Sequence, residues 1–163
     1  MNLISYARIE SPVGPLLLAG DELGLRRVSF ENSKRSTPLE RDWKRDRGPF
    51  TEVICQLQAY FDGELKDFDL PLSLEGTEFQ LCVWRSLRTI PYGETISYGQ
   101  LAHRIGKPKA VRAVGLANGS NPIPIIIPCH RVIGSNGSLT GFGGGLPIKK
   151  KLLALEGRQM SLL

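Results

Sequence analysis

Apolar residues alternate along the first third of the chain and recur every three to four positions along most of the rest. The run LISYARIESPVGPLLLAG carries two β-rich segments joined at Ser11-Pro12-Val13-Gly14-Pro15, and LRRVSF reads as a third strand. Residues 31–49 are polar and of mixed charge, which predicts an irregular connection. In FTEVICQLQAYFDGEL, Val53, Leu57, Tyr60 and Phe61 share one helical face, with Gly63 near the end. Cys55 falls inside that helix and is expected to be a buried structural thiol. The stretch DLPLSLEG, 69–76, reads as a strand and a link between domains. TEFQLCVWRSLRTIPYG then predicts a helix from an N-cap at Thr77 to the turn at Pro91-Tyr92-Gly93. Phe79, Cys82, Val83, Leu87 and Ile90 follow helical spacing, which places Cys82 in the core as well.

The following segment is the most strongly patterned. Ser97 with Gln100 three residues later forms a capping-box signature. Leu101, Ala102 and Ile105 supply the apolar stripe and Gly106 the stop. KAVRAVGLANGSNP predicts a second helix ending at Asn118-Gly119. Two short helices joined by a tight turn read as a helix-turn-helix. The expected fold class is α+β: a strand-rich N-terminal α/β domain, 1–75, followed by a mainly helical C-terminal domain, 76–163.

Composition changes the picture chiefly through charge. Hydrophobic residues make up 41% and charged residues 23% of the 163, ordinary globular values. No apolar run approaches the roughly 18–20 residues of a membrane span, and MNLISYARIESPVG lacks the basic region and apolar core of a secretory signal. A cytoplasmic protein without membrane contact is expected. Three cysteines without a CxxC pair, and two histidines at 103 and 130, predict neither a disulfide framework nor a metal site. Residues 1–80 hold 10 Lys and Arg against 14 Asp and Glu, whereas residues 81–163 hold 11 against 2. A positive excess confined to one half points to a polyanion such as nucleic acid, the alternative being a solubilising surface.

The second helix of the pair is unusually thin. Around Arg112 stand Ala110, Ala113, Gly115 and Ala117, with Val111 and Val114 able to face the core. Gly115 weakens a helix by about 1 kcal/mol relative to alanine, so it implies close approach. That approach is either packing within the protein or entry of the helix into a DNA minor groove, roughly 6 Å wide. In the second case Arg112 would fill a space left in a base stack.

The chemistry concentrates at IPIIIPCHRVIG. Pro122, Pro124 and Pro128 stiffen a β-branched run that delivers Cys129 beside His130 and Arg131. An adjacent imidazole or cation lowers a thiol's pKa and makes it a candidate nucleophile. Neighbouring side chains on a strand point to opposite faces, so either the backbone turns at Pro128 or a water carries the proton. His130 needs an acceptor to set its tautomer. Of the two acidic residues after position 80, Glu94 and Glu156, the choice is Glu156, at the end of LPIKKKLLALEG. Downstream, Asn136-Gly137 signals a hairpin turn. GFGGG is no P-loop, because no GK[ST] follows it; it is either a lid beside the thiol or a merely mobile loop.

PCHRVIG, preceded by ANGSNPIPIII and PYGETISYGQLA, closely resembles the DNA alkyltransferases that repair O6-alkylguanine, the methylated-DNA–protein-cysteine methyltransferases. The resemblance spans roughly 77–157. It implies a monomer that binds double-stranded DNA, flips an O6-alkylguanine out of the duplex and takes the alkyl group onto Cys129 once, without a cofactor. It further implies that His130 takes the thiol proton through water, Glu156 orients His130, and Asn121 braces the turn that positions the thiol. Tyr98 would donate to guanine N3, and Arg112 would occupy the vacated stack with Ala110, Ala113 and Gly115 against the DNA. Phe142, Gly143 and Gly144 would edge the alkyl pocket. Phe142 stands where some relatives carry tyrosine, which removes a hydroxyl but keeps a flat wall. A cysteine hydrolase would not need the basic helix pair, and a transcription regulator would leave PCHRV unexplained. A binding protein of alkylated DNA that does not repair it would lack the acceptor cysteine.

Overall fold

A computed structural model describes residues 3–33, 36, 38–139 and 141–157. The chain forms two compact units, one ending at Leu74 and the other beginning at Glu75.

The first unit is built on β1 (Ser5–Ile9), β2 (Leu16–Asp21) and β3 (Gly24–Phe30), an antiparallel meander. β2 lies in the middle, and Leu16, Leu17, Leu18 and Ala19 are all buried, so both of its faces are covered. The connection expected over 31–49 contains a short fourth strand, β4 (Lys44–Arg45), which pairs in parallel with β1 and completes the order β3-β2-β1-β4. Two residues that owe their pairing to a distant strand carry no local signature. Lys34, Arg35 and Thr37, in the same connection, lie outside the described residues. A 3-10 turn at Gly48–Phe50 leads into α1 (Thr51–Phe61), which buries Val53, Ile54, Leu57 and Tyr60. Cys55, contrary to expectation, is exposed: it sits two residues past Val53, on the opposite side of the helix. The segment at 69–76 is not a full strand. Leu72 bridges Leu25, while Leu25 N–H donates to Pro71 O and Ser73 N–H to Leu25 O.

The second unit begins with α2 (Glu78–Leu87). Its Thr77 cap is a full capping box: Thr77 Oγ1 accepts from Gln80 N–H, and Gln80 Oε1 accepts from Thr77 N–H. Val83, Trp84 and Leu87 are buried, and Trp84 Nε1–H donates to Ala117 O at 2.9 Å, tying α2 to the segment around Ala117. Cys82 is only half-buried. β5 (Ile96–Ser97) runs directly into α3 (Tyr98–Arg104), whose capping box at Ser97 and Gln100 is formed. Residues 105–110 separate α3 from α4 (Val111–Gly119).

β5 pairs in parallel with β6 (Val132–Ile133), Ile96 against Val132 and Ser97 against Ile133. This small ribbon ties the start of α3, where Tyr98 stands, to the segment that follows Cys129. The turn at Asn136-Gly137 forms, with Gly134 N–H donating to Ser138 O, but β6 finds its partner in β5 and not in a hairpin return. α5 (Leu146–Leu155) carries Pro147 in its first turn and buries Lys149, Leu152 and Leu153. No helix among the described residues is long and apolar enough to cross a membrane.

Candidate active site

Cys129 is presented by a compact turn, not by a strand. Ile127 N–H donates to Ile123 O at 2.9 Å and Cys129 N–H to Ile127 O at 2.8 Å. Residues Cys129–Arg131 then form a 3-10 turn. Ile125 has φ +75°, a left-handed conformation that costs a β-branched residue about 1–3 kcal/mol. Asn121 is the clamp that holds it. Its Nδ2 donates to Ile127 O at 2.8 Å and its Oδ1 accepts from Ile123 N–H at 3.0 Å. The isoleucines at 123 and 125–127 are buried, so their packing offsets the strain. Asn118, on α4, points its Nδ2 at Cys129 O from 3.5 Å.

A buried ionic group backs the turn. Glu156, the C-cap of α5, accepts from His130 Nε2 at 2.8 Å, from Arg131 Nε at 2.8 Å and from Arg131 Nη2 at 2.9 Å. Arg131 Nη1 also donates to Ile90 O at 2.7 Å. A carboxylate has no proton to give, so Nε2 carries the histidine's hydrogen and Nδ1 is the bare acceptor. Nδ1 is buried and has no hydrogen-bond partner among the described residues. Of the two routes open from the sequence, the backbone does turn at Pro128, yet no direct bond joins the thiol to the imidazole.

Lys149 is fully buried, with Nζ donating to Val132 O at 2.7 Å. Burial drops its pKa to about 8, while the charge of a Cys129 thiolate acts in the other direction. The thiol itself departs from expectation. Burial pushes Cys129 up to about 11, although Asn121 and Lys149 pull it down. Desolvating an anion outweighs one lysine and one amide, so the resting group is the thiol. Burial also lowers the pKa of His130 against the opposing pull of Glu156, which keeps the imidazole neutral and able to accept a proton.

Tyr98 is half-buried at the start of α3, with Lys149 Nζ 6.0 Å from its ring centre. A Cβ on Gly141 would lie 3.9 Å from Tyr98 Oη, and one on Gly115 would lie 3.9 Å from Tyr98 Cδ1. Both glycines therefore face the tyrosine. Neither distance is tight, so packing within the protein does not account for Gly115. Phe142, Gly143 and Gly144 are half-buried in a turn closed by Gly145 N–H on Phe142 O at 2.9 Å. Arg112 and Ala113 are exposed and Ala110 half-buried. Val111, expected to face the core beside Val114, is 39% exposed.

Sequence reasoning missed Lys149, Asn118 and the ion pair of Arg131. Lys149 was findable: Lys149, Leu152, Leu153 and Glu156 fall at i, i+3, i+4 and i+7, one face of α5. Among the described residues no cluster of three His, Cys, Asp or Glu could hold a metal. The first unit contains a cleft of about 530 Å³ between the Gly20–Leu25 turn, Phe50, Val53 and Pro71, which contains none of these residues.

Comparison with known proteins gives this arrangement its context. Residues 78–158 match the family model for the DNA binding domain of 6-O-methylguanine DNA methyltransferase, and residues 4–74 match that for its ribonuclease-like domain. A methylated-DNA--protein-cysteine methyltransferase of Methanosarcina acetivorans is 59% identical over 152 residues, covering 93% of this chain and 97% of its own. The structure of Mycobacterium tuberculosis OGT in complex with DNA is similar with a TM-score of 0.88 at 52% identity, over 96% of each chain. The O6-methylguanine-DNA methyltransferase of Pyrococcus kodakaraensis strain KOD1 is similar with a TM-score of 0.69 at 26% identity, over 95% of this chain and 99% of its own. With both of its units matched in order and relatives above half identity along nearly its whole length, the chain belongs to the 6-O-methylguanine DNA methyltransferase family.

Proposed function

We propose that this protein repairs O6-alkylguanine in double-stranded DNA by moving the alkyl group onto Sγ of its own Cys129, one group per molecule. It acts as a monomer in the cytoplasm. α4 enters the minor groove, Arg112 fills the place of the extruded nucleotide, and the flipped base lies between Tyr98 and the wall made by Phe142, Gly143 and Gly144. The Sγ–H proton passes through a water to His130 Nδ1, and Glu156 steadies the imidazolium through Nε2. Sγ then attacks the alkyl carbon. The carbon–O6 bond breaks, its electron pair goes to the guanine ring, and Tyr98 Oη–H protonates N3, to be reprotonated from the histidine side. The net change is thiol plus O6-alkylguanine to thioether plus guanine. Water does not readily cleave a thioether, so the protein is consumed.

The observation that carries this reading is the buried His130 Nδ1, an acceptor without a partner among the described residues, next in the chain to a buried protonated thiol and fixed from behind by Glu156. The test is to incubate the protein with a duplex containing O6-methylguanine and map the added mass by peptide digestion. One methyl group should appear on the Cys129 peptide and plateau at one per chain, and Cys129→Ser should abolish it. Continued release of repaired DNA from a substoichiometric amount of unmodified protein refutes the reading.

A further inference from the structure

Arg112 and Leu116 stand one turn apart on α4, and both are exposed. Val114, Ala117 and Asn118 hold the buried side of the helix, so these two side chains form the crest opposite. The surface around them is low: Ala113 and Gly119 are exposed and Gly115 is half-buried. Leu116 is 78% exposed, twice the exposure of Val111 on the same helix at 39%. Its isobutyl group therefore rises from a shelf of methyl groups and bare backbone. Beside the exposed Arg112, such a side chain offers nothing to a phosphate. On a helix that meets DNA it matches the apolar parts of the duplex, the C–H edges of sugars and bases.

We propose that Leu116 is an apolar contact of the DNA face, resting on the repair reading above. With Arg112 in the base stack, Leu116 packs into the minor groove beside it and adds attraction that does not depend on phosphate. One helical turn advances about 5.4 Å, and successive base pairs are about 3.4 Å apart, so Leu116 meets the pairs next to the extruded nucleotide. Ala113, Gly115 and Gly119 leave room for the groove walls on either side. Phosphate contacts release counterions and make binding fall with salt, whereas apolar burial does not.

The experiment measures second-order repair rates on an O6-methylguanine duplex across a salt series, alongside transfer from free O6-benzylguanine. Leu116→Ala should slow duplex repair by about five- to tenfold at every salt concentration. The salt slope and transfer from the free base should be unchanged, and Leu116→Met should recover most of the rate. Wild-type speed on duplex DNA, an equal loss on the free base, or a shallower salt slope overturns the proposal. These outcomes are distinct from failure of the repair reading, which appears as a wild-type protein that never alkylates Cys129.

Discussion

Replacing Glu156 by glutamine tests whether the buried ionic group holds the active-site turn. The carboxylate uses two oxygens to accept three hydrogen bonds, two from Arg131 and one from His130. Glutamine keeps one oxygen and puts an NH2 group where the other stood, so at least one donor faces another donor. Arg131 is 5% and Glu156 4% exposed, so the guanidinium loses its counter-charge without gaining water. Removing one partner of a buried pair costs about 3–5 kcal/mol, against a whole-domain stability of about 5–15 kcal/mol. At a urea dependence of about 2 kcal/mol per molar, the unfolding midpoint should drop by roughly 1.5–2.5 M. Trp84, 2% exposed and hydrogen-bonded to Ala117, reports the transition by fluorescence once Trp43 is replaced by phenylalanine. Repair measured well below the midpoint should still be slowed at least tenfold, because His130 loses its fixed tautomer. A loss of stability below about 1 kcal/mol would mean that water reaches Arg131 in the folded state, and would refute the argument from burial.

Arg112→Ala should slow repair of duplex DNA by far more than transfer from free O6-benzylguanine, as rate measurements on the two substrates will show; equal losses would remove the finger role. Iodoacetamide at neutral pH, followed by peptide mapping, should label exposed Cys55 first, half-buried Cys82 next and buried Cys129 last; early labelling of Cys129 would contradict its raised pKa. Urea unfolding between about pH 5 and 8 tests His130, whose pKa burial lowers from 6.5. The unfolded chain binds that proton first, so the contribution of His130 is complete above pH 6.5 and is lost as pH falls below it, with a slope of at most about 1.4 kcal/mol per unit. A stability that rises on acidification through this window would show the histidine to be held charged.

The elements legible in the sequence are those fixed by local chemistry. The capping boxes at Thr77 and Ser97 and the turn at Ser11–Pro15 use contacts between residues three or four apart. β4 and the β5–β6 ribbon escape such reading because each short strand exists only through a partner far along the chain. The turn from Asn121 to Pro128 escapes it for another reason. A proline-rich run of isoleucines favours extended backbone, but Asn121 and the packing of four buried isoleucines override that preference and force Ile125 into a left-handed conformation. At the site, motif and charge pointed to Cys129, His130 and Glu156, and the structure brings Glu156 to His130 and Arg131. What the motif could not convey is the balance of fields. Adjacent cationic residues suggested an acidic thiol, yet desolvation dominates and raises its pKa instead.

That inversion fits a protein that reacts once. With a pKa of about 11, Cys129 at neutral pH is thiolate in on the order of one part in ten thousand, about a hundredfold less than a thiol at the unperturbed value near 9. Stray electrophiles that would waste the molecule meet a buried, protonated sulfur. Ionising it at pH 7 costs about 5 kcal/mol, a barrier that must be lowered when the lesion is in place. The Asn121 amide and Lys149 already act within that pKa, so the group left to lower the barrier is Nδ1 of His130, which has no partner among the described residues. Burial lowers the pKa of Lys149 to about 8 and a Cys129 thiolate raises it within that balance, so the two groups ionise in each other's favour. A site that ionised its sulfur at rest would need no substrate to become reactive. The proposed mechanism couples ionisation to occupancy, so it predicts that O6-benzylguanine consumes Cys129 while iodoacetamide at the same concentration still spares it. Equal reactivity toward both would show that the sulfur is already activated in the resting protein.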